Sequence, residues 1–281
     1  MSEYQYYEFC AVDRPLNRGQ LAALRAISTR AHITATSFTN SYQWGDLKAD
    51  PRTLVERYFD AHLYLTNWGT HRLIVKLPAA LLSTETAASY TVGDRASAHT
   101  HDASTLIDWS SDDENGTDED DWDDGSGHLA ALIGIRSELA AGDLRPLYLG
   151  WLATLPSLRD PDTVTGPPVP TGLTTLTGPQ QALADFLRVD RHLLNAARNS
   201  TPAAAVQNDQ QLAQWVAALP AADKDRILLR LARQGATGEG SDLLHRYRRS
   251  HPSPAPAQPR TAAALLKAAD GLRPSTNGDP R

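Results

Sequence analysis

Residues 50–77 read DPRTLVERYFDAHLYLTNWGTHRLIVKL, and this run decides the fold. Asp50 followed by Pro51 marks a helix start, with the aspartate as N-cap and the proline at the first helical position, where its missing N–H costs nothing. Leu54, Val55, Tyr58 and Phe59 then recur at helical spacing and form one apolar stripe. His62 to Trp68 switches to β-branched, aromatic and leucine-rich composition, Asn67-Trp68-Gly69-Thr70 is a turn, and Arg72 to Leu77 is a second strand. A helix followed by a hairpin sets an α+β pattern.

Working outward, Tyr4, Tyr6, Tyr7 and Phe9 lie in a strand that runs to Val12, and Pro15 ends it because proline cannot donate to a ladder. Leu21, Leu24 and Ile27 place a helix over 18–29, and the alternation from His32 to Trp44 predicts another strand. The order β-α-β-α-β-β predicts an N-terminal mixed sheet with two helices on one face. After residue 79 the pattern weakens, with one strand expected at 104–109. From Leu129 the chain turns helical, and helices over 129–155 are expected on the free face of the sheet.

Four segments follow from composition. Residues 1–155 are expected to form an α+β domain carrying an acidic loop at 108–124. The five prolines of 156–172 make a crossing that no long helix can pass. Residues 173–250 are expected to form a helical bundle of their own, with Phe186, Leu187, Trp215, Leu228 and Leu231 inside it. Residues 251–281 read as a flexible Pro-rich tail with a possible short helix at 260–271.

Charge is uneven along the chain. Of 33 acids, ten fall in 108–124 without a single Lys or Arg, which leaves 27 basic and 23 acidic residues elsewhere. The net charge of −6 is therefore one tract, not a property of the whole surface, and like charge at that density predicts a solvated loop. From Pro220 onward the chain leans basic, 11 against 6. Neither imbalance predicts nucleic acid as a partner. The single cysteine, Cys10, excludes an internal disulfide and a Cys-based zinc site. No long apolar run predicts a membrane span, and the opening MSEYQYYEF is no signal peptide, so a cytoplasmic location is expected.

The blocks EYQYYEF (3–9), DRPL (13–16), SYQWGD (41–46), NWGTHRL (67–73) and GDLRPLYLGWL (142–152) resemble a family of bacterial proteins with no assigned activity. The resemblance extends to about residue 250. It implies no cofactor and no catalytic residue, and as a partner it suggests only a protein bearing a SWIM-type zinc module.

Catalytic patterns are absent from the sequence: there is no G-x-S-x-G elbow, no phosphate-binding G-x-x-x-x-G-K-[ST] loop and no G-x-G-x-x-G. The acidic tract offers no register for an EF-hand. His99, His101 and Asp102 are weak metal candidates, since an H-x-H pair on a strand aims both rings to one side while a zinc site needs further ligands. Trp44, Asp46, Asn67, Trp68 and His71 are the candidate binding residues, because each tryptophan stands beside a turn glycine at a strand end. Packing of both indoles at the sheet edge is the competing reading. These observations point first to a non-enzymatic interaction protein with a protein partner and no cofactor. Two alternatives are an enzyme of unrecognised type near the Trp turns, using Glu56, Asp46 or His71, and a weak nucleic-acid binder through the basic C-terminal helices.

Overall fold

The computed structural model describes residues 3–113, 124–199, 209–234, 243–244, 246–247, 249–251 and 260–273. In chain order the elements are β1 (Gln5–Cys10), α1 (Arg18–Ile27), β2 (His32–Ile33), β3 (Ser37–Tyr42), α2 (Pro51–Arg57), β4 (Ala61–Thr66), β5 (Thr70–Pro78), α3 (Thr84–Ala88), β6 (Ala96–His101) and β7 (Ser104–Asp112). Then come α4 (His128–Leu132), α5 (Gly134–Ala140), α6 (Arg145–Thr154), α7 (Gly178–Phe186), α8 (Arg191–Arg198), α9 (Asp209–Ala218), α10 (Ala221–Gln234) and α11 (Ala262–Asp270).

The expected helix caps are present. Asp50 accepts from the Thr53 N–H, and Thr177 and Gln180 form a reciprocal capping box at the head of α7. The class is α+β, as the alternation of patterns predicts. The strands form one seven-stranded sheet in the order β2-β3-β1-β4-β5-β7-β6. Every pairing is antiparallel, in place of the expected mixed sheet. The expected strand 32–44 is two strands folded back on each other, because Thr34 N–H bonds the Ser37 carbonyl and closes a turn.

Strand alternation sends two core sets to opposite faces. Phe9, Phe38, Ile74 and Leu106 meet Leu24, Leu54, Val55 and Phe59 of the α1–α2 layer. Leu63, Leu73, Val75, Ile107 and Trp109 meet the later helices through Ile135, Leu147, Tyr148 and Trp151. The sheet is thus the middle of three layers, with helices 129–155 on its second face as expected.

The second core does not stop at the Pro-rich crossing. Leu183, Phe186 and Leu193 beyond it belong to the same buried cluster as Leu65 and Leu73 before it. Over 173–199 the chain is therefore part of this second core and not a separate bundle. The crossing itself is docked, since Gly166 N–H bonds the Arg260 carbonyl and Ala262 N–H bonds the Val164 carbonyl. The expected tail accordingly contains a packed helix, with Leu265 of α11 only 1 % exposed. Of the residues expected inside a distal bundle, Phe186 and Leu187 are buried in this shared core, Leu228 is exposed, and the Leu231 side chain lies outside the described set.

One close approach fixes how α6 meets the sheet. A Cβ at Gly150 would stand 2.1 Å from Trp109 Nε1 and 2.6 Å from its Cδ1. A glycine-to-alanine change inside a helix ordinarily stabilises by about 1 kcal/mol. Here the sign should reverse, because the Trp109 ring is fully buried and cannot step aside. Gly150→Ala is expected to lower stability by about 1–3 kcal/mol in a urea titration. A variant as stable as the parent would mean that the helix does not approach the ring this closely.

Candidate functional site

The two tryptophan turns come together at one end of the sheet. Gln5, at the start of β1, pairs with Tyr42 of β3 on one side and Thr66 of β4 on the other. Trp44 and Trp68 each lie two residues past those partners, beyond the ends of the two strands that flank β1. Both indoles reach solvent, Trp44 at 77 % and Trp68 at 44 % exposure. The packed reading of these residues therefore fails, and it fails most clearly for Trp44.

Both turns rest on fixed backbone. Gly45 has φ +81° and Gly69 has φ +93°, left-handed values that favour glycine. Gln5, itself 8 % exposed, donates from Nε2 to the Gly45 carbonyl at 3.1 Å. The Tyr7 and Tyr64 hydroxyls stand 2.8 and 3.0 Å from Gln5 Oε1. Tyr7 also donates to Asp46 at 2.5 Å, and the same Asp46 oxygen accepts the Leu47 N–H. At the other turn, Asn67 accepts the Tyr4 N–H at 2.9 Å and returns its own N–H to the Tyr4 carbonyl. Burial pushes the Tyr7 and Tyr64 phenols up, and the bond to Asp46 pushes Tyr7 up further. Both are neutral at physiological pH, so they serve as struts and not as bases.

Below this network lies a partly buried ion cluster. Arg72 of β5 grips Asp108 of β7 with Nε at 2.9 Å and a terminal nitrogen at 2.6 Å, and Arg52 of α2 adds a third contact at 3.2 Å. Burial works against the Asp108 charge, but the Arg72 bonds outweigh it and hold the carboxyl below its usual range. This overturns the reading of 108–124 as a loop throughout. Its first residues form β7, where Asp108, Trp109 and Ser111 are buried, and 114–123 lie outside the described residues.

The other candidates lie apart. His71 projects to the opposite face, where its ring stacks on Phe186 at 4.7 Å and Nδ1 meets the Phe186 carbonyl at 2.8 Å. It therefore docks α7 and does not join the Trp end. Glu56 sits at the far end of the sheet, 3.8 Å from His101. Asp46, Glu56 and His71 consequently do not form the catalytic group considered above. His99 bonds Ser97 at 2.9 Å, and Asp102 is exposed in the β6–β7 turn at φ +50°. Among the described residues no group of three or more His, Cys, Asp or Glu could hold a metal ion. Burial raises the Cys10 thiol, which suits a packing role and not a nucleophile.

Sequence reading missed the struts Gln5, Tyr7 and Tyr64 and the pair Arg72–Asp108. The one available signal was polar or hydroxyl-bearing residues two apart at one end of three strands, Gln5 and Tyr7 of β1, Tyr64 and Thr66 of β4, and Thr70 and Arg72 of β5. No helix among the described residues is long and apolar enough to cross a membrane. Comparison with protein-family models, curated proteins and solved structures finds no match.

Proposed function

We propose that this chain is a non-enzymatic interaction protein that engages a protein partner through the Trp44–Trp68 end of its sheet. The observation that carries this reading is the combination of exposure and rigidity there. Trp44 is 77 % exposed, yet the turn that holds it is tied to the sheet through the buried Gln5 and Tyr7. A single exposed apolar side chain needs no explanation. Two exposed indoles on pre-set turns at one sheet end fit an anchor surface, because little conformational entropy remains to be lost on binding. The separation of Asp46, Glu56 and His71 weighs against the enzyme alternative.

The test is cross-linked affinity capture from the native host with the parent and with Trp44→Ala/Trp68→Ala. Loss of a stoichiometric partner by at least ~10-fold is expected, since anchor residues contribute about 2 kcal/mol or more. Equal capture by both proteins would move the interface elsewhere. Turnover in a broad substrate screen would favour the enzyme reading.

A further inference from the structure

We infer that Arg188 is a positioning residue for the Trp68 turn, holding it from the helical layer on the second face of the sheet in the shape the partner meets. This rests on the interaction reading above and names what keeps the second indole in place. The Trp44 turn has its ties in Gln5, Tyr7 and Asp46. At the Trp68 turn, Asn67 is tied to β1 through Tyr4, and the Gly69 carbonyl accepts the Asp113 N–H at 3.2 Å. The same carbonyl takes a second donor, and that donor comes from beyond the end of α7.

Helix α7 closes in a Schellman turn. Arg188 N–H bonds the Asp185 carbonyl at 3.0 Å, and Val189 N–H bonds the Ala184 carbonyl at 2.8 Å. The residue just past the cap must then be left-handed, and Arg188 has φ +55°. Glycine takes this position at least cost, because a Cβ there carries strain. A long side chain kept at a strained position is explained by what its far end does.

The far end reaches the turn. Nη1 donates to the Gly69 carbonyl at 3.0 Å, with the Ser111 carbonyl and hydroxyl at 3.4 and 3.3 Å. Nη2 lies 3.1 Å from His71 Nε2, while His71 Nδ1 is taken by the Phe186 carbonyl at 2.8 Å. One guanidinium therefore grips the turn, the end of β7 and the strand that leaves the turn, β5. Such a set of acceptors suits a planar fork with donors in fixed directions, where lysine offers a point charge. Gly69 and Arg188 are 119 residues apart, and α7 itself is packed into the second core through Leu183 and Phe186. The turn thus takes its rigidity from that core. A turn held in this way loses little freedom on binding, so partner affinity depends on Arg188 without contact between them.

The test uses the full chain and two variants. Arg188→Gly suits the left-handed backbone and keeps the end of α7, and Arg188→Met keeps an unbranched stem without donors. Amide exchange is read at Asn67, Gly69 and Thr70, whose N–H groups are all bonded, with Leu47 of the other turn as the reference. Relative to Leu47, both variants should exchange at least ~10-fold faster at these three amides, the worth of a lost charge-assisted hydrogen bond. Capture of the partner from the native host should fall by about 10-fold, as for an anchor residue, with an unchanged circular dichroism spectrum. Unchanged exchange at the three amides would overturn the inference and leave the interaction reading standing. Exchange raised in Arg188→Gly alone would trace the effect to the backbone and not to the donors, with the same result. Faster exchange in both variants with full capture would show that the partner does not depend on the shape of the turn, and the inference falls again. If Trp44→Ala/Trp68→Ala loses no partner, the interaction reading falls and takes the inference with it.

Discussion

Asp108→Ala is expected to lower the stability of the protein by about 3 kcal/mol. The carboxylate is the shared acceptor of two guanidinium groups, and its own side chain is 9 % exposed. Removing it leaves Arg72, with 29 % of its side chain exposed, beside a void and without its bidentate partner. A fully buried orphaned charge costs about 3–5 kcal/mol, and the partial exposure of Arg72 places the estimate at the lower end. The companion change separates the pair from its cavity. Arg72→Met/Asp108→Leu removes both charges and refills the space, so it should recover most of the loss. Urea unfolding of the parent, the single variant and the double variant measures this. A loss below about 1 kcal/mol for Asp108→Ala would indicate a solvent-screened contact of the surface kind.

The change should also be felt at the Trp44 turn. Arg52 lies in the first turn of α2, directly after the loop that carries Trp44, Gly45 and Asp46. Its contact with Asp108 joins that loop to β7, beside the edge strand of the sheet. Faster amide exchange over 43–50 in Asp108→Ala, beyond the general acceleration that the lower global stability brings to core strands such as β4, is the expected local signature. The buried pair and the exposed indole are in this sense parts of one device: the ion cluster fixes the base of the loop, and the Gln5–Tyr7–Asp46 bonds fix its tip.

What could be read in advance depended on whether a residue's role was written in local pattern. The caps Asp50 and Thr177, the stripe Leu54–Val55–Phe59 and the β4–β5 hairpin all carry their explanation within a few residues. Strand β6, with the sequence ASAHTH, carries no apolar alternation. It lies at the sheet edge, pairs only with β7, and takes its place from that ladder and from Thr100 bonding Thr84 of α3. The crossing at 156–172 reads as a boundary because prolines forbid helix, but proline does not forbid docking. Its partner, Arg260–Ala262, lies about a hundred residues away in sequence, and no local signal announces it. Asp108 was hidden for a similar reason. It fell both in the expected strand 104–109 and in the acidic run 108–124, and only the register that sets β7 beside β5 gives it Arg72 as a neighbour. The Trp turns were visible as motifs, but their meeting at one end depends on Gln5 pairing in both directions.

Acid should destabilise the protein well above the range where carboxylates titrate, and His62 is the cause. The imidazole is completely buried in β4, stacked on Phe9 at 4.1 Å. Its Nδ1 lies 3.0 Å from the Glu8 carbonyl, while Nε2 has no hydrogen-bond partner among the described residues. The ring is therefore neutral, with the proton on Nδ1 donated to Glu8. Burial depresses its pKa to about 3, against 6.5 for the free side chain, and the Glu8 carbonyl only partly opposes this. The unfolded chain takes up a proton near pH 6.5 and the folded chain does not until near pH 3. Stability is thus unaffected above about pH 6.5 and falls by up to about 1.4 kcal/mol per pH unit below it. By pH 5 the loss reaches about 2 kcal/mol, and the full window corresponds to about 5 kcal/mol. For a chain of this size the loss at pH 5 should lower Tm by roughly 4–8 °C relative to pH 7.5. His62→Phe retains the stack on Phe9 and has nothing to titrate. Whatever its absolute stability, its Tm should stay level from pH 7.5 to 5, and a slope equal to that of the parent would place the acid-sensitive group elsewhere.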